Sequence, residues 1–236
     1  MRYPDEPVVL FHKIDFALPE KTFISLLDKI RKPKQEKIKR YKFREDALRS
    51  LFGELLFKYA LKKSYNINYD KEIIIEDEYG KPHLNNRDIY FNISHSGDWT
   101  AVVCFTSSAG IDIEKIENPP YEIMPKNFTQ TECEQIENDD EMIKTIQFYT
   151  MWTLKESYIK MLGQGLSIAL DSFSISMKDK NNIEITDKNR ATNNVCFKSF
   201  YPDSNHILSV CISSFCKEIY PQLTSLNELV SNENYQ

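Results

Sequence analysis

The sequence predicts a mixed α+β protein on three observations. Apolar residues recur at helical spacing through two long stretches, residues 34–61 and 145–162. Short apolar runs at 89–93, 99–105, 173–177, 183–186, 195–201 and 207–213 are bounded by turn residues and read as antiparallel strands. With 236 residues and 41% hydrophobic content, the chain can bury one large core or two half-sized ones, so disorder is excluded as its main state.

Residues 8–16 alternate loosely enough between apolar and polar to form a strand. Pro19 opens an amphipathic stretch over 20–30, and Pro33 ends it. Beyond it, Ile38, Tyr41, Leu48, Leu51, Leu55 and Tyr59 suit one or two helices that carry basic residues on their outer faces. Glu72-Ile73-Ile74-Ile75-Glu76 is a short strand. In Tyr79-Gly80-Lys81-Pro82, Gly80 permits a positive φ and Pro82 blocks continuation, so Lys81 is expected on display in a loop.

The strands at 89–93 and 99–105 frame a polar turn, Ser94-His95-Ser96-Gly97. A second turn at 106–110 leads into Gly110-Ile111-Asp112-Ile113-Glu114, which is expected to close a hairpin. On a strand, Ile111 and Ile113 point to the core while Asp112 and Glu114 share the other face, about 6–7 Å apart. Taken alone, such a pair is most often two solvated acids on an exposed edge. Pro119 and Pro120 close this unit. Thr129 or Thr131 caps a helix running toward Ile136, and an acidic loop spans 137–141.

The 145–162 helix ends at Gly163 and places Trp152, Glu156 and Lys160 along one face, with Lys155 on a neighbouring one. The plain reading of Glu156 and Lys160 is a surface pair worth a few tenths of a kcal/mol. The end from Pro221 is polar and expected to fray.

Composition narrows the function classes. Asp5 and Glu6 come early and the apolar stretches before Phe16 are short, so no secretory leader is read. No run of about 18 apolar residues exists, so no membrane span is predicted and a cytoplasmic protein is expected. Cys104, Cys133, Cys196, Cys211 and Cys216 form no CxxC pair, which favours free thiols over disulfides or a zinc site. The net charge of −5 hides an asymmetry. Residues 29–49 hold ten Lys or Arg against three acids, whereas 117–141 hold eight acids and one lysine. A basic segment of that kind suits nucleic acid, a membrane surface, a phosphorylated small molecule or simply a solvated helical face.

Asp112, Glu114 and Glu156 together offer three oxygen ligands, which suit a hard cation. Magnesium shares such shells with substrate phosphates, whereas zinc would ask for His or Cys that these positions lack. His95 or Lys81 alone is weak evidence of chemistry.

The ordered set Tyr79-Gly80-Lys81-Pro82, Phe91-Asn92-Ile93-Ser94-His95-Ser96-Gly97, Gly110-Ile111-Asp112-Ile113-Glu114, the 128–132 segment, and Trp152-Thr153-Leu154-Lys155-Glu156-Ser157-Tyr158-Ile159-Lys160 followed by Gly165-Leu166-Ser167 resembles the 4′-phosphopantetheinyl transferases of the larger, Sfp type. Glu45-Asp46-Ala47-Leu48-Arg49 resembles the family's early helix motif. The resemblance runs from about residue 34 to 213.

It implies a pseudo-twofold α+β fold of two similar subdomains, each a small antiparallel sheet with a long helix. The expected division is 1–112 and 113–236, with the active site at the junction and the chain a monomer. It also implies Mg2+-dependent transfer of the phosphopantetheine arm of coenzyme A to a serine of an apo acyl or peptidyl carrier protein, releasing adenosine 3′,5′-bisphosphate. Mn2+ is left open as the ion. In that resemblance Asp112, Glu114 and Glu156 hold the metal. Lys34, Lys37, Arg49, Lys81, Ser94 and His95 bind the coenzyme, Lys160 steadies the pyrophosphate or protonates the leaving group, and Glu132 or a metal-bound water takes the serine proton.

Two other classes compete: a magnesium-dependent phosphoryl or nucleotidyl transferase acting on another substrate, and a catalytically silent module that binds carriers or nucleotides. A nucleic-acid role fits worst, because the basic cluster lacks interleaved aromatic platforms. The carrier's pathway (peptide, polyketide or fatty-acid synthesis) is not written in these residues.

Overall fold

The computed structural model describes residues 3–179, 182–215 and 218–231. Its first half runs β1 (Val8–Lys13), α1 (Glu20–Leu27), α2 (Lys32–Ile38), α3 (Arg44–Tyr65), β2 (Ile74–Glu76), β3 (Pro82–Leu84), β4 (Tyr90–Ser96) and β5 (Trp99–Phe105). The second runs β6 (Ala109–Lys115), α4 (Met124–Asn127), α5 (Gln130–Ile136), α6 (Glu141–Leu162), β7 (Phe173–Asp179), β8 (Asn182–Asp187), β9 (Val195–Asp203) and β10 (His206–Ser213). After them come β11 (Pro221–Leu223) and α7 (Leu226–Ser231).

The periodic stretch over 34–61 is two helices, because Phe43 adopts extended dihedrals between them and serves as N-cap of α3. Asn66, in the left-handed region at φ 53°, ends α3, and Gly163 at φ 80° ends α6. The α+β expectation holds: each half lays one 22-residue helix on a small sheet.

The first sheet has the order β11-β1-β5-β4 and the second β6-β10-β9; β2-β3 and β7-β8 are two-stranded hairpins. All pairings are antiparallel except β1 with β11. On one side of the first sheet Val102 and Cys104 join Leu48, Leu51, Phe52 and Leu55 of α3 in one core. Between the sheets, Ala101, Val103 and Phe105 meet Ile111, Ile113, Leu208 and Val210 in another. The third core joins Phe148, Met151, Leu154 and Tyr158 of α6 to Ile175 and Cys211. Every residue of β5 is buried, which accounts for its unbroken apolar run.

Three expectations need correction. The β5–β6 hairpin does not form. The two strands bury their apolar faces against each other from different sheets, and the ladder of β6 goes to β10, with Asp112 opposite Ser209. The turn expected at 94–97 is shorter, since β4 continues through Ser96 and the reversal uses Gly97, at φ 55°, and Asp98. Residues 221–231 are not frayed: β11 pairs with β1, and Leu229 of α7 enters the first core. Residue 112, the expected division, lies within β6, and residues 221–223 pair with β1 of the first sheet. Of the free thiols, Cys104 and Cys211 are buried while Cys133 and Cys196 are half-buried; Cys216 lies outside the described residues.

Strands β4 and β6 share no ladder, yet they are joined. Alternate residues of a strand face one way, so Asn92, Ser94 and Ser96 all turn toward β6. Their side-chain oxygens accept the backbone N–H groups of Ile111, Ile113 and Lys115 at 3.0, 3.4 and 3.1 Å. This side-chain seam substitutes for backbone pairing. Beside it, α6 passes so close that a Cβ on Gly110 would lie 2.1 Å from the Ser157 carbonyl oxygen. Only glycine permits that approach.

Candidate active site

The seam brings the three predicted carboxylates into one neighbourhood. Asp112 is 3% exposed, and its Oδ1 accepts the Ser94 hydroxyl at 3.0 Å and the Lys160 ammonium at 2.5 Å. Its Oδ2 is buried with no hydrogen-bond partner. Glu114 accepts the Ser96 hydroxyl at 2.8 Å. Burial first, and the Asp112 charge second, push the Glu114 pKa up to about 7 against the pull of that bond. Burial and then Asp112 also raise Glu156. Burial alone would lower Lys160, but Asp112, Glu156 and Glu114 outweigh it and hold the ammonium above the ordinary lysine range.

This donor set fits a hard divalent ion, because the carboxylates raise one another and one buried oxygen lacks a partner. The three do not close into a ready ligand shell. Among the described residues, the trio whose donor atoms all lie within 4.8 Å of one another is Asp98, Asp203 and His206.

Two cavities share Pro82 and Asn92, and of the three carboxylates only Glu156 lines one of them. One, of about 250 Å3, is lined by Tyr79, Lys81, Glu156, Lys160 and Gly165. The other, of about 270 Å3, is lined by Lys34, Lys37, Tyr41, Arg49, Glu54 and His95. The basic segment thus supplies the wall of a cavity rather than only a solvated face. A further cavity, lined by Lys29, Lys58, Lys62 and Leu229, shares no residue with either.

The predicted coenzyme contacts divide into free and engaged groups. Lys37 and His95 are exposed at the basic cavity. Although its side chain opens to solvent, the His95 ring has its pKa lowered, first by desolvation against the cavity wall and then by the Arg49 and Lys160 cations. Arg49 is anchored through Nε to the Gly97 carbonyl at 2.8 Å and through Nη1 to Asp46 at 2.7 Å. Lys34 is paired at 2.6 Å with Glu54, a buried carboxylate that also accepts the Tyr69 hydroxyl at 2.5 Å. Ser94 gives its one hydroxyl proton to Asp112 and accepts from Lys160 and Ile113, which leaves it no proton to donate to a ligand.

Lys81 is not displayed on a loop. Its ammonium donates to the Lys160 and Met161 carbonyls at 2.7 and 2.9 Å, closing the C-terminal end of α6, and burial pushes its pKa down to about 8. The open carbonyls of a helix end attract such a cation more strongly than solvent does.

Glu132 lies in neither cavity and is fully buried. Both carboxylate oxygens accept from Lys155 at 2.6 Å, and they also take the Thr129 and Ile175 backbone N–H groups at 2.7 and 2.8 Å. Thr129 and Glu132 form a reciprocal capping box at the start of α5. The seam residues Asn92 and Ser96 were missed as functional positions, although their period-2 spacing with Ser94 was visible. Glu54 and Lys155 were also missed, since a charge in a helix gives no signal of whether it will be buried and paired.

The α+β fold sets these carboxylates close to a basic cavity, an arrangement consistent with the family whose models match this chain. A family model described as the 4′-phosphopantetheinyl transferase superfamily matches residues 108–211, and one described as 4′-phosphopantetheinyl transferase, N-terminal, matches 18–107. The chain is 36% identical over 192 residues to a 4′-phosphopantetheinyl transferase of Bacillus subtilis, covering 79% of this chain and 84% of the relative. It is 35% identical over 182 residues to 4′-phosphopantetheinyl transferase Sfp of Bacillus subtilis (strain 168), covering 75% and 80%. Against 4′-phosphopantetheinyl transferase gsp of Aneurinibacillus migulanus it is 36% identical over 173 residues, covering 73% and 71%. The chain belongs to the 4′-phosphopantetheinyl transferase superfamily, in its Sfp-type branch.

Among the described residues, no helix is long and apolar enough to cross a membrane.

Proposed function

We propose that the protein transfers the 4′-phosphopantetheine arm of coenzyme A to a serine hydroxyl of an apo acyl or peptidyl carrier protein. The serine oxygen bonds to the phosphorus bearing the pantetheine arm, the bridging P–O bond of the pyrophosphate breaks, and adenosine 3′,5′-bisphosphate departs. The observation that carries this reading is that Glu156 and Lys160 line a cavity sharing Pro82 and Asn92 with a basic cavity, while Lys160 also bonds Asp112.

Asp112, Glu114 and Glu156 would hold a magnesium ion, or manganese in its place. When bound, such an ion neutralises charge on the pyrophosphate as the bridging bond weakens. Lys160, whose side chain keeps 29% exposure, turns its ammonium to the leaving phosphate oxygen. Lys37, Arg49 and His95 receive the coenzyme's other phosphates in the basic cavity, and Lys34 joins them once the phosphates compete with Glu54. Lys81 holds the end of α6 that carries Lys160, and Ser94 holds Asp112. Glu132 could accept the serine proton only by giving up Lys155 in a site closed to water, so this reading makes it a brace for α6 and sends the proton to water at the seam.

The chain is read as acting as a monomer, with carrier encounter assisted by the basic segment, since carriers of this class are acidic. The test is mass spectrometry of apo carriers from peptide, polyketide and fatty-acid systems, incubated with the protein, coenzyme A and Mg2+, with a chelator control. A metal-dependent gain of one phosphopantetheine is expected on at least one carrier. No gain on any of them while coenzyme A stays bound would replace this reading with the silent binding module.

A further inference from the structure

The turn that follows Ser96 touches a second group of titratable side chains. One donor atom from each of Asp98, Asp203 and His206 lies within 4.8 Å of the other two. His206, the first residue of β10, is 3% exposed, whereas the Asp98 and Asp203 side chains keep 32% and 30% of their exposure. The ring is therefore fixed inside the protein, and the carboxylates leave an approach from solvent.

The hydrogen bonds orient the ring. His206 Nδ1 lies 2.9 Å from Asp203 Oδ1, and Asp203 Oδ2 accepts the Trp99 indole N–H at 2.9 Å. A carboxylate only accepts, so Nδ1 carries a proton, and Nε2 is the nitrogen left to meet an ion. That Nε2 is buried without a hydrogen-bond partner. The atom facing it is Asp98 Oδ1, at 3.5 Å. At that separation the two atoms make no hydrogen bond, and a buried polar atom with no partner calls for an explanation such as an ion.

Nitrogen and oxygen ligands bind a zinc-class ion at about 2.0–2.2 Å, which at a tetrahedral angle sets two such ligands about 3.3–3.5 Å apart. The Nε2 to Oδ1 spacing matches that edge. A carboxylate on the far ring nitrogen is the usual orienting partner of a metal-bound histidine. The cations nearby leave these two atoms free. Lys13, with its side chain 55% exposed, sits 3.4 Å from Asp98 Oδ2 and 3.8 Å from Asp203 Oδ2, while Lys115 is paired with Glu117.

We infer that His206 Nε2 and Asp98 Oδ1 form a binding site for a borderline divalent ion of the zinc, nickel or cobalt class, with Asp203 orienting the ring. The imidazole ligand selects such ions over magnesium, so this site is chemically distinct from the all-carboxylate set at Asp112. A bound ion ties the turn at Gly97 and Asp98 to the β9–β10 hairpin. The carbonyl of Gly97 anchors Arg49 in the basic cavity, so the tie also stiffens that wall.

The test is a Zn2+ titration of the full chain with saturating Mg2+ throughout, read by 15N NMR of the four histidines and by thermal melts. Zinc is expected to shift His206 Nε2, leave its Nδ1 protonated and raise Tm. Asp98→Asn and His206→Gln should each bind zinc at least tenfold more weakly and lose the rise, while both variants keep the wild-type Mg2+ response and circular dichroism. The inference is overturned if zinc leaves the His206 ring unmoved, or if Nε2 only gains a proton on acidification, which would mark an imidazolium bridge between the two aspartates. Full retention of the Tm rise in both variants would overturn it as well.

Discussion

Ser94, on a strand of the first sheet, donates its hydroxyl proton to Asp112, on a strand of the second, across 3.0 Å. The same hydroxyl accepts from Lys160 at 3.1 Å. The carboxylate is therefore set from both halves of the molecule at once, by β4 on one side and by α6 on the other. A shift of either element relative to the seam would move Asp112 or the ammonium that neutralises it.

Lys160→Met should leave Asp112 buried beside Glu114 and Glu156 with no protein cation on it. A fully buried pair broken in this way costs about 3–5 kcal/mol, and the part-exposure of Lys160 reduces the expectation to about 1–3 kcal/mol. If Lys160 meets the leaving phosphate as proposed, turnover should fall further, on the order of 10²-fold or more in kcat. Chemical denaturation together with single-turnover kinetics separates the two losses. Unchanged kcat in a folded variant would remove Lys160 from the chemistry.

Glu156→Gln should act in the opposite way on stability. Burial and Asp112 raise the Glu156 pKa, so its charge opposes folding in the absence of an ion. Removing that charge should leave Tm of the metal-free protein unchanged or slightly higher. The Mg2+-induced rise in Tm should shrink, with kcat lower by on the order of 10²–10³-fold. A variant that keeps both the Mg2+ response and the rate would refute the metal assignment.

His95 offers a pH-dependent test. Its folded pKa lies below the ordinary histidine value of 6.5, so its contribution to stability is present above pH 6.5 and is lost as pH falls through the folded value. The ring is thus neutral in the free protein near pH 7. A polyanionic coenzyme placed beside it favours the charged form, so binding near pH 6 should take up protons. Titration calorimetry in buffers of different ionisation heat measures that uptake. His95→Gln should abolish it and raise the coenzyme A KM, and wild-type binding with no uptake would leave the ring outside the phosphate contacts.

How far the sequence could be read differs from element to element. The two long helices and the strand runs were legible because apolar period reports directly on which face is buried. The Asp112 and Glu114 pair was legible as two acids on one face, and its burial was not, since Ser94, Ser96 and Lys160 close over it from elements distant in sequence. The β5–β6 hairpin failed for a related reason: alternation marks a strand but not the partner of its ladder. Lys81 was misplaced because local turn chemistry cannot report a helix C-terminus about 80 residues downstream. The polar end at β11 and α7 looks frayed in sequence because the apolar residues of α7, Leu226, Leu229 and Val230, are spaced for one short helix face that only the first core completes.

The buried pair of Glu132 and Lys155 decides between two roles for one carboxylate. Both side chains are fully buried, and burial holds the Lys155 pKa down although Glu132 pulls it up. If Glu132 braces α6, then Glu132→Gln strands a buried ammonium and should cost about 3–5 kcal/mol, with the neighbouring Glu156 and Lys160 losing rate through displacement. Lys155→Met should cost a similar amount by stranding the carboxylate. The double variant should recover much of both losses, in stability and in rate, because no unpaired charge remains. A general base behaves otherwise: Glu132→Gln would lower kcat by about 10²–10⁴-fold, and removing Lys155 as well would restore stability without restoring the rate. Denaturation midpoints and single-turnover rates for the four proteins of this double-mutant cycle therefore distinguish the brace from the base.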